Sequence, residues 1–134
     1  MAKEGTRSEA FAYFGASGKN PRWSWSARSA DGKIVVLTMW QDEFRVSDGV
    51  ATYRTGQSEE VDWGGRAGNQ ERIENINSAV AHCDGKIRVV IACARDVDAR
   101  VREIESCFPH EKLVMRITAF DVNTGEFSAV SVTE

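Results

Sequence analysis

The sequence predicts an α+β protein, a mostly antiparallel sheet of about five or six strands with two helices packed on it. Three observations predict it. Asp31-Gly32 separates two runs able to pair as strands, a helical apolar stripe begins after Asn69, and two apolar runs flank Val122-Asn123-Thr124-Gly125 near the end. The expected order is hairpin, loop, helix, strand, helix, hairpin.

The first hairpin joins residues 22–30 to 33–44. Asp-Gly is a favoured two-residue type I′ turn, and the second arm, KIVVLTMW, is rich in β-branched and aromatic residues. A two-residue register places Ala30 opposite Lys33, Trp25 opposite Thr38 and Trp23 opposite Trp40. Strand alternation then puts the three tryptophans on one face with Ala27, Ser29, Ile34 and Val36. Ser24, Ser26, Arg28, Val35, Leu37 and Met39 share the other. Both faces are partly apolar near the turn, as in a strand central to a sheet or joined to a partner.

A polar, glycine-containing stretch follows at 45–68. It holds a short strand at Val50 to Tyr53 and then a loop that delivers Trp63, Gly64-Gly65 and Arg66. A long connection within one domain is often functional, and paired glycines let a backbone approach a ligand closely. Beyond it, Ile73, Ile76, Val80 and Cys83 recur at helical spacing, with Asn69 as N-cap and Asp84-Gly85 as stop. IRVVIACA (87–94) reads as an interior strand. Val97, Val101, Ile104 and Phe108, between Asp96 and Pro109, predict a second helix over 97–108. Residues 112–121 and 126–132 form the closing hairpin, and SEAFAYFGA near the start reads as a helix or a first strand.

The chain's 134 residues fit one domain spanning 1–134, large enough for a core without metals or disulfides, with residues 1–7 expected to be disordered. No stretch resembles a signal peptide's apolar centre, and none has 18 consecutive apolar residues, so the expected setting is the cytoplasm, away from the membrane. Cys83, Cys93 and Cys107 lack zinc-ligand spacing and read as small buried hydrophobes. A formal charge of −3 with mixed signs argues against a uniformly basic nucleic-acid footprint. Arg22, Arg28, Lys33, Arg45 and Arg54 nevertheless gather in or after the tryptophan segment.

No catalytic motif occurs. There is no G-x-S-x-G, no P-loop and no dinucleotide fingerprint, and His82 and His110 sit at a helix end and just after Pro109. No cofactor and no metal site is expected. The aromatic row remains: Trp23, Trp25, Trp40 and Trp63, with Arg22, Gln41, Asp42 and Arg66 as polar neighbours. Indoles suit cores, interfaces and stacking on flat ligands alike, and apolar surface with a few hydrogen-bonding groups suits a small-ligand pocket. A nucleobase could stack there, read by Gln41 or Asn20 with Arg22, Arg28 and Arg66 on phosphates. A cationic or aromatic metabolite could be held by cation–π contact and the Asp42 or Glu43 carboxylate.

The reading is a binding protein for a small aromatic or cationic ligand or a nucleobase. The first alternative is an assembly protein whose aromatic hairpin makes a homodimer interface. The second is a metal-dependent hydrolase or nuclease using Asp42, Glu43 and Asp62. No family is recognised from the residues. The hairpin sequence resembles base-reading domains attached to modification-dependent nucleases, without any complete motif of theirs.

Overall fold

The computed structural model describes residues 7–18, 25–54, 63–96, 98, 104–121 and 126–132, and at 7, 8, 63–69 and 104 the backbone alone. The elements in chain order are α1 (Arg7–Tyr13), β1 (Ala16–Ser17), β2 (Ser26–Ser29), β3 (Val35–Trp40), β4 (Arg45–Ser47), β5 (Val50–Arg54), α2 (Trp63–His82), β6 (Lys86–Ala94), β7 (Ile104–Phe120) and β8 (Phe127–Ser131). A 3-10 turn, Gln41–Glu43, links β3 to β4. Among the described residues the strands form one eight-stranded sheet in the order β1-β2-β3-β6-β7-β8-β5-β4. It is mixed: β3 and β6 run parallel, and the other pairs are antiparallel.

The β2–β3 register is the expected one, with Ser26 opposite Leu37, Ala27 opposite Val36 and Arg28 opposite Val35. The turn that sets it is different. Type I′ needs positive φ at both central residues; here Gly32 has φ +75° and Asp31 stays outside the left-handed region. The Gly32 N–H bonds the Ser29 carbonyl at 3.0 Å and the Ser29 N–H bonds the Ile34 carbonyl at 2.9 Å, leaving Ala30 to Lys33 as the loop. Asp31 caps it, its carboxylate accepting the Ser29 hydroxyl at 2.6 Å and the Lys33 N–H at 2.9 Å. The I′ reversal occurs instead at Asp48-Gly49 (φ 54° and 77°), where Ser47 faces Val50 across β4 and β5.

Each face of the sheet buries a separate cluster. α2 covers Val35, Leu37, Met39, Ile87, Val89, Ile91, Met115 and Ala129 with its Ile76 and Ala79. On the opposite face Ala10, Phe11 and Phe14 of α1 meet Ala27, Val36, Val90 and Cys107. Every residue of β3 is therefore buried, as expected of a strand flanked on both sides. The sheet also curls. Tyr53 on β5 stands four places from β3 in the strand order, yet its hydroxyl accepts the Trp40 backbone N–H at 3.2 Å.

Three expectations need correction. The sheet has eight strands and a parallel pair, in place of five or six mostly antiparallel ones, although the α+β character holds. The helix over 97–108 does not form where the chain is described. Residues 104–108 open β7, pairing Ala94 with Ile104, Ala92 with Cys107 and Ile91 with Phe108. Tertiary pairing with the apolar β6 overrides the helical spacing, and Pro109 is tolerated because β8 pairs only from Met115 onward. Residues 97 and 99–103 lie outside the described set.

The third correction concerns α2, which starts at Trp63 rather than Asn69 and so takes in the Gly64-Gly65 pair. Its apolar stripe is also incomplete. Val80 is 54% exposed, while Glu71, Arg72 and Asn75 are buried. The buried face is thus partly polar, with Asn75 Nδ2 donating to Ser26 Oγ at 2.7 Å and Arg72 lying over the Phe127 ring at 5.5 Å. Of the cysteines, Cys107 is buried and Cys83 and Cys93 half-buried. The expectation for residues 1–7 falls outside the described set, apart from Arg7, which opens α1.

Candidate functional site

The structure brings together part of the expected site. Trp25 and Trp40 share a face as the register requires, with ring centroids 5.3 Å apart and planes tilted by 51°. The Thr38 N–H donates to the Trp25 carbonyl at 2.9 Å and extends the ladder past Ser26. Trp40, however, is only 5% exposed. Its indole is a core ring with half-buried Trp25 against it. Arg22 and Trp23 lie outside the described residues. Trp63 and Arg66 lie in the first turns of α2, and their side chains are outside the description, so the loop expected to carry them is helix there.

Thr38, which faces Trp25 across the β2–β3 ladder, has an unusual position for a polar group. It is 2% exposed, and its hydroxyl has no hydrogen-bond partner among the described residues. Buried hydroxyls are almost always bonded, because desolvation without a partner costs about 1–3 kcal/mol.

Gln41 and Asp42 are exposed on the 3-10 turn that follows Trp40. The turn is fixed from beneath. Tyr53 donates its O–H to Glu43 Oε1 at 3.3 Å while accepting the Trp40 N–H, Phe44 packs on the Tyr53 ring at 5.1 Å, and Cys93 Sγ donates to Gln41 Oε1 at 3.4 Å. Asp42 and Glu43 consequently stand at the rim of an open cleft of about 600 Å³.

The cleft floor is the sheet face turned away from Tyr53 and Ala129. Arg45 pairs with Thr52, Thr52 with Val130 and Arg54 with Ser128, so strand alternation sends all five side chains to the same side. Thr118 joins them where a bulge in β7 sets it and Ala119 against Ser128. Among the described residues no helix packs closely on this side of β5 and β8. A second hollow of about 320 Å³, lined by Phe120, Asp121 and Glu126, shares Arg54 and Ser128 with the cleft. The two adjoin at Arg54 and Ser128 to form a groove, and Phe120, opposite Phe127, packs towards the core on the other side of the sheet.

Charge in the groove is mixed and unequally engaged. Glu43 holds the Tyr53 hydroxyl, and Asp42, Asp121 and Glu126 each have partners of their own. Arg116, on the neighbouring stretch of β7, is ion-paired with Asp84. Among the described residues no ion pair engages Arg45 or Arg54.

Asp42 and Glu43 are candidates from the residues alone and Arg45 and Arg54 stand out only as part of a basic stretch, whereas Thr52 and Ser128 carry no signal by themselves. Their signal is the alternation in RVS, VATYR and FSAVS, which marks one outward polar face once the three strands are known to be neighbours. Among the described residues no group of three or more His, Cys, Asp or Glu could hold a metal ion, and no helix is long and apolar enough to cross a membrane. No protein family, curated protein or solved structure matches this chain.

Proposed function

We propose that the protein is a non-catalytic binding protein for a small ligand, working in the cytoplasm, with its seat in the groove beside Asp42. The observation that carries this reading is the groove itself. Its main lobe of about 600 Å³ falls within the range of ligand sites, and hydroxyls, carboxylates and guanidiniums converge on it from the turn and four strands. Tyr53 and Phe44 hold the rim turn in place, so the lining is preorganised.

Of the ligands the sequence suggests, a molecule carrying a nucleobase fits the two-lobed shape better than a cationic aromatic. The smaller lobe offers the Asp121 and Glu126 carboxylates to the N–H groups of a base, and the larger offers two arginines and three hydroxyls. Trp25 and Trp40 serve in this reading as the foundation under the rim turn. The test is a thermal-shift screen of nucleobases, nucleosides, nucleotides and cationic aromatics against the native chain and Thr118→Trp, which fills the cleft from an exposed position. A ligand that raises the native melting temperature and leaves the variant's unchanged supports the seat. A screen without hits, or hits indifferent to the blockade, contradicts it.

A homodimer is the second reading, favoured by the open edge of β4, where Val46 is 72% exposed. A solution mass of one chain that persists at high concentration would remove it. The hydrolase reading gains no support, since Asp62 lies outside the described residues and Glu43 is held by Tyr53.

A further inference from the structure

We infer that Arg45 and Arg54 form an anion seat, and that the group it takes is the phosphate of a small phosphorylated molecule. The inference rests on the groove being the ligand seat and adds which end of the ligand goes where. Arg45 stands across from Thr52 on β4, and Arg54 is two residues beyond Thr52 on β5. On a pleated sheet that diagonal spacing is about 7–8 Å between backbones, within reach of two long side chains converging on one group.

Partnership and position distinguish this pair from three other described arginines. Arg116 is committed to Asp84, Arg88 donates to the Glu111 carbonyl and lies over Phe14, and Arg72 is buried over Phe127. Arg45 and Arg54 alone combine an open groove wall with the lack of an ion-pair partner among the described residues. Each guanidinium presents five N–H donors in a planar fork, and a phosphate supplies several acceptor oxygens in matching geometry. The Ser128 and Thr118 hydroxyls beside Arg54 add further donors. A carboxylate ligand would fill one fork; two forks flanked by hydroxyls suit a phosphate better.

Two rim carboxylates share the cleft with the arginines. Glu43 is turned onto the Tyr53 hydroxyl, and Asp42 has its own partner. Both lie on the 3-10 turn at the cleft's rim, two to three residues before Arg45. Arg54, common to both lobes, sets the phosphate between them and directs the rest of the molecule towards Asp121 and Glu126 in the smaller hollow.

The experiment is a titration of the full chain, labelled with nitrogen-15 at arginine, with inorganic phosphate at constant ionic strength, following the Nε–H signals. Saturable shifts of Arg45 and Arg54, absent with chloride, are expected, with half-saturation at about 1–10 mM for so small a probe. Arg54→Ala should weaken binding at least tenfold, and Arg54→Lys should recover only part of it, because an ammonium keeps the charge and loses the fork. Lys112→Ala, an exposed cation elsewhere, should change nothing. Unsaturable drift, or full affinity in Arg54→Lys, overturns the anion seat.

Two further arms separate the sources. AMP should bind at least tenfold more tightly than adenosine. Single-stranded DNA that binds more tightly than AMP, with a salt dependence of several phosphates, would overturn the small-molecule assignment in favour of a nucleic-acid surface. Equal binding of adenosine and AMP in the groove would sink the anion seat and leave the proposed function standing.

Discussion

Replacing Thr38 by valine removes a hydroxyl that is 2% exposed and unbonded among the described residues, and it leaves the shape of the side chain almost unchanged. An unsatisfied buried hydroxyl costs about 1–3 kcal/mol, so Thr38→Val should stabilise the fold by that amount. With an unfolding entropy of about 2.1 cal/mol/K per residue, a 134-residue chain loses or gains roughly 4 °C of melting temperature per kcal/mol. The expected rise is about 4–10 °C. Ser26→Ala provides the opposite case on the adjacent strand: Ser26 Oγ accepts from Asn75 Nδ2 at 2.7 Å, so its loss strands a buried amide and should cost about 1–3 kcal/mol. Urea unfolding of both variants, with unchanged m-values, measures the two differences. A destabilised Thr38→Val would refute the reasoning, because it would mean that the hydroxyl is bonded.

Three other perturbations read different parts of the structure. Tyr53→Phe deprives the Trp40 N–H of its acceptor and Glu43 of its donor, and should cost about 1–3 kcal/mol while loosening the rim turn, seen as faster amide exchange at residues 41–44. Burial pushes the Cys83 thiol above its ordinary range, with the Asp31 charge adding to the shift, so alkylation of Cys83 at neutral pH should be slow and accelerate on raising the pH. The Ser29 hydroxyl, then the Lys33 N–H, hold the Asp31 carboxyl below its usual range. A carboxylate depressed in the folded state stabilises above its unfolded pKa of about 3.9 and loses that contribution as pH falls through the lower folded value. The stability gap between the native chain and Asp31→Ala should therefore be full at pH 6 and shrink below about pH 4; a gap that widened there would contradict the assignment.

Much of the local structure was legible from the residues because it depends on neighbours in sequence. The β2–β3 register follows from two arms hinged at one glycine, and it survives the change of turn type: Asp31 bonds the Lys33 amide with its side chain, which lets a looser loop close the same pairing. The closing hairpin also forms between neighbouring segments, with Met115 opposite Ser131 and Phe120 opposite Phe127 on either side of a bulge. What could not be read was partnership at a distance. Val97, Val101, Ile104 and Phe108 carry a helical spacing, but 104–108 are strand because β6 offers them an apolar edge that no local pattern reveals. The α2 stripe misled at Val80, since the helix buries Arg72 and Asn75 against Phe127 and Ser26, partners supplied by β8 and β2.

The candidate site divides the same way. Asp42 was found because it follows the aromatic strand directly, whereas Arg45, Arg54 and Ser128 meet only after β8 has inserted beside β5. The tryptophans attracted attention as large flat rings, and Trp40 proves to be packed in the core. Its contribution to the groove passes through its backbone, by way of Tyr53.

The most direct test of the groove as ligand seat is amide chemical-shift mapping with the best compound from the thermal-shift screen. Perturbations are expected only at residues 42–45, 52–54, 118–121 and 126–130, the groove and its rim. Shifts centred on Trp25, Thr38 and Trp40, with the groove silent, would contradict it.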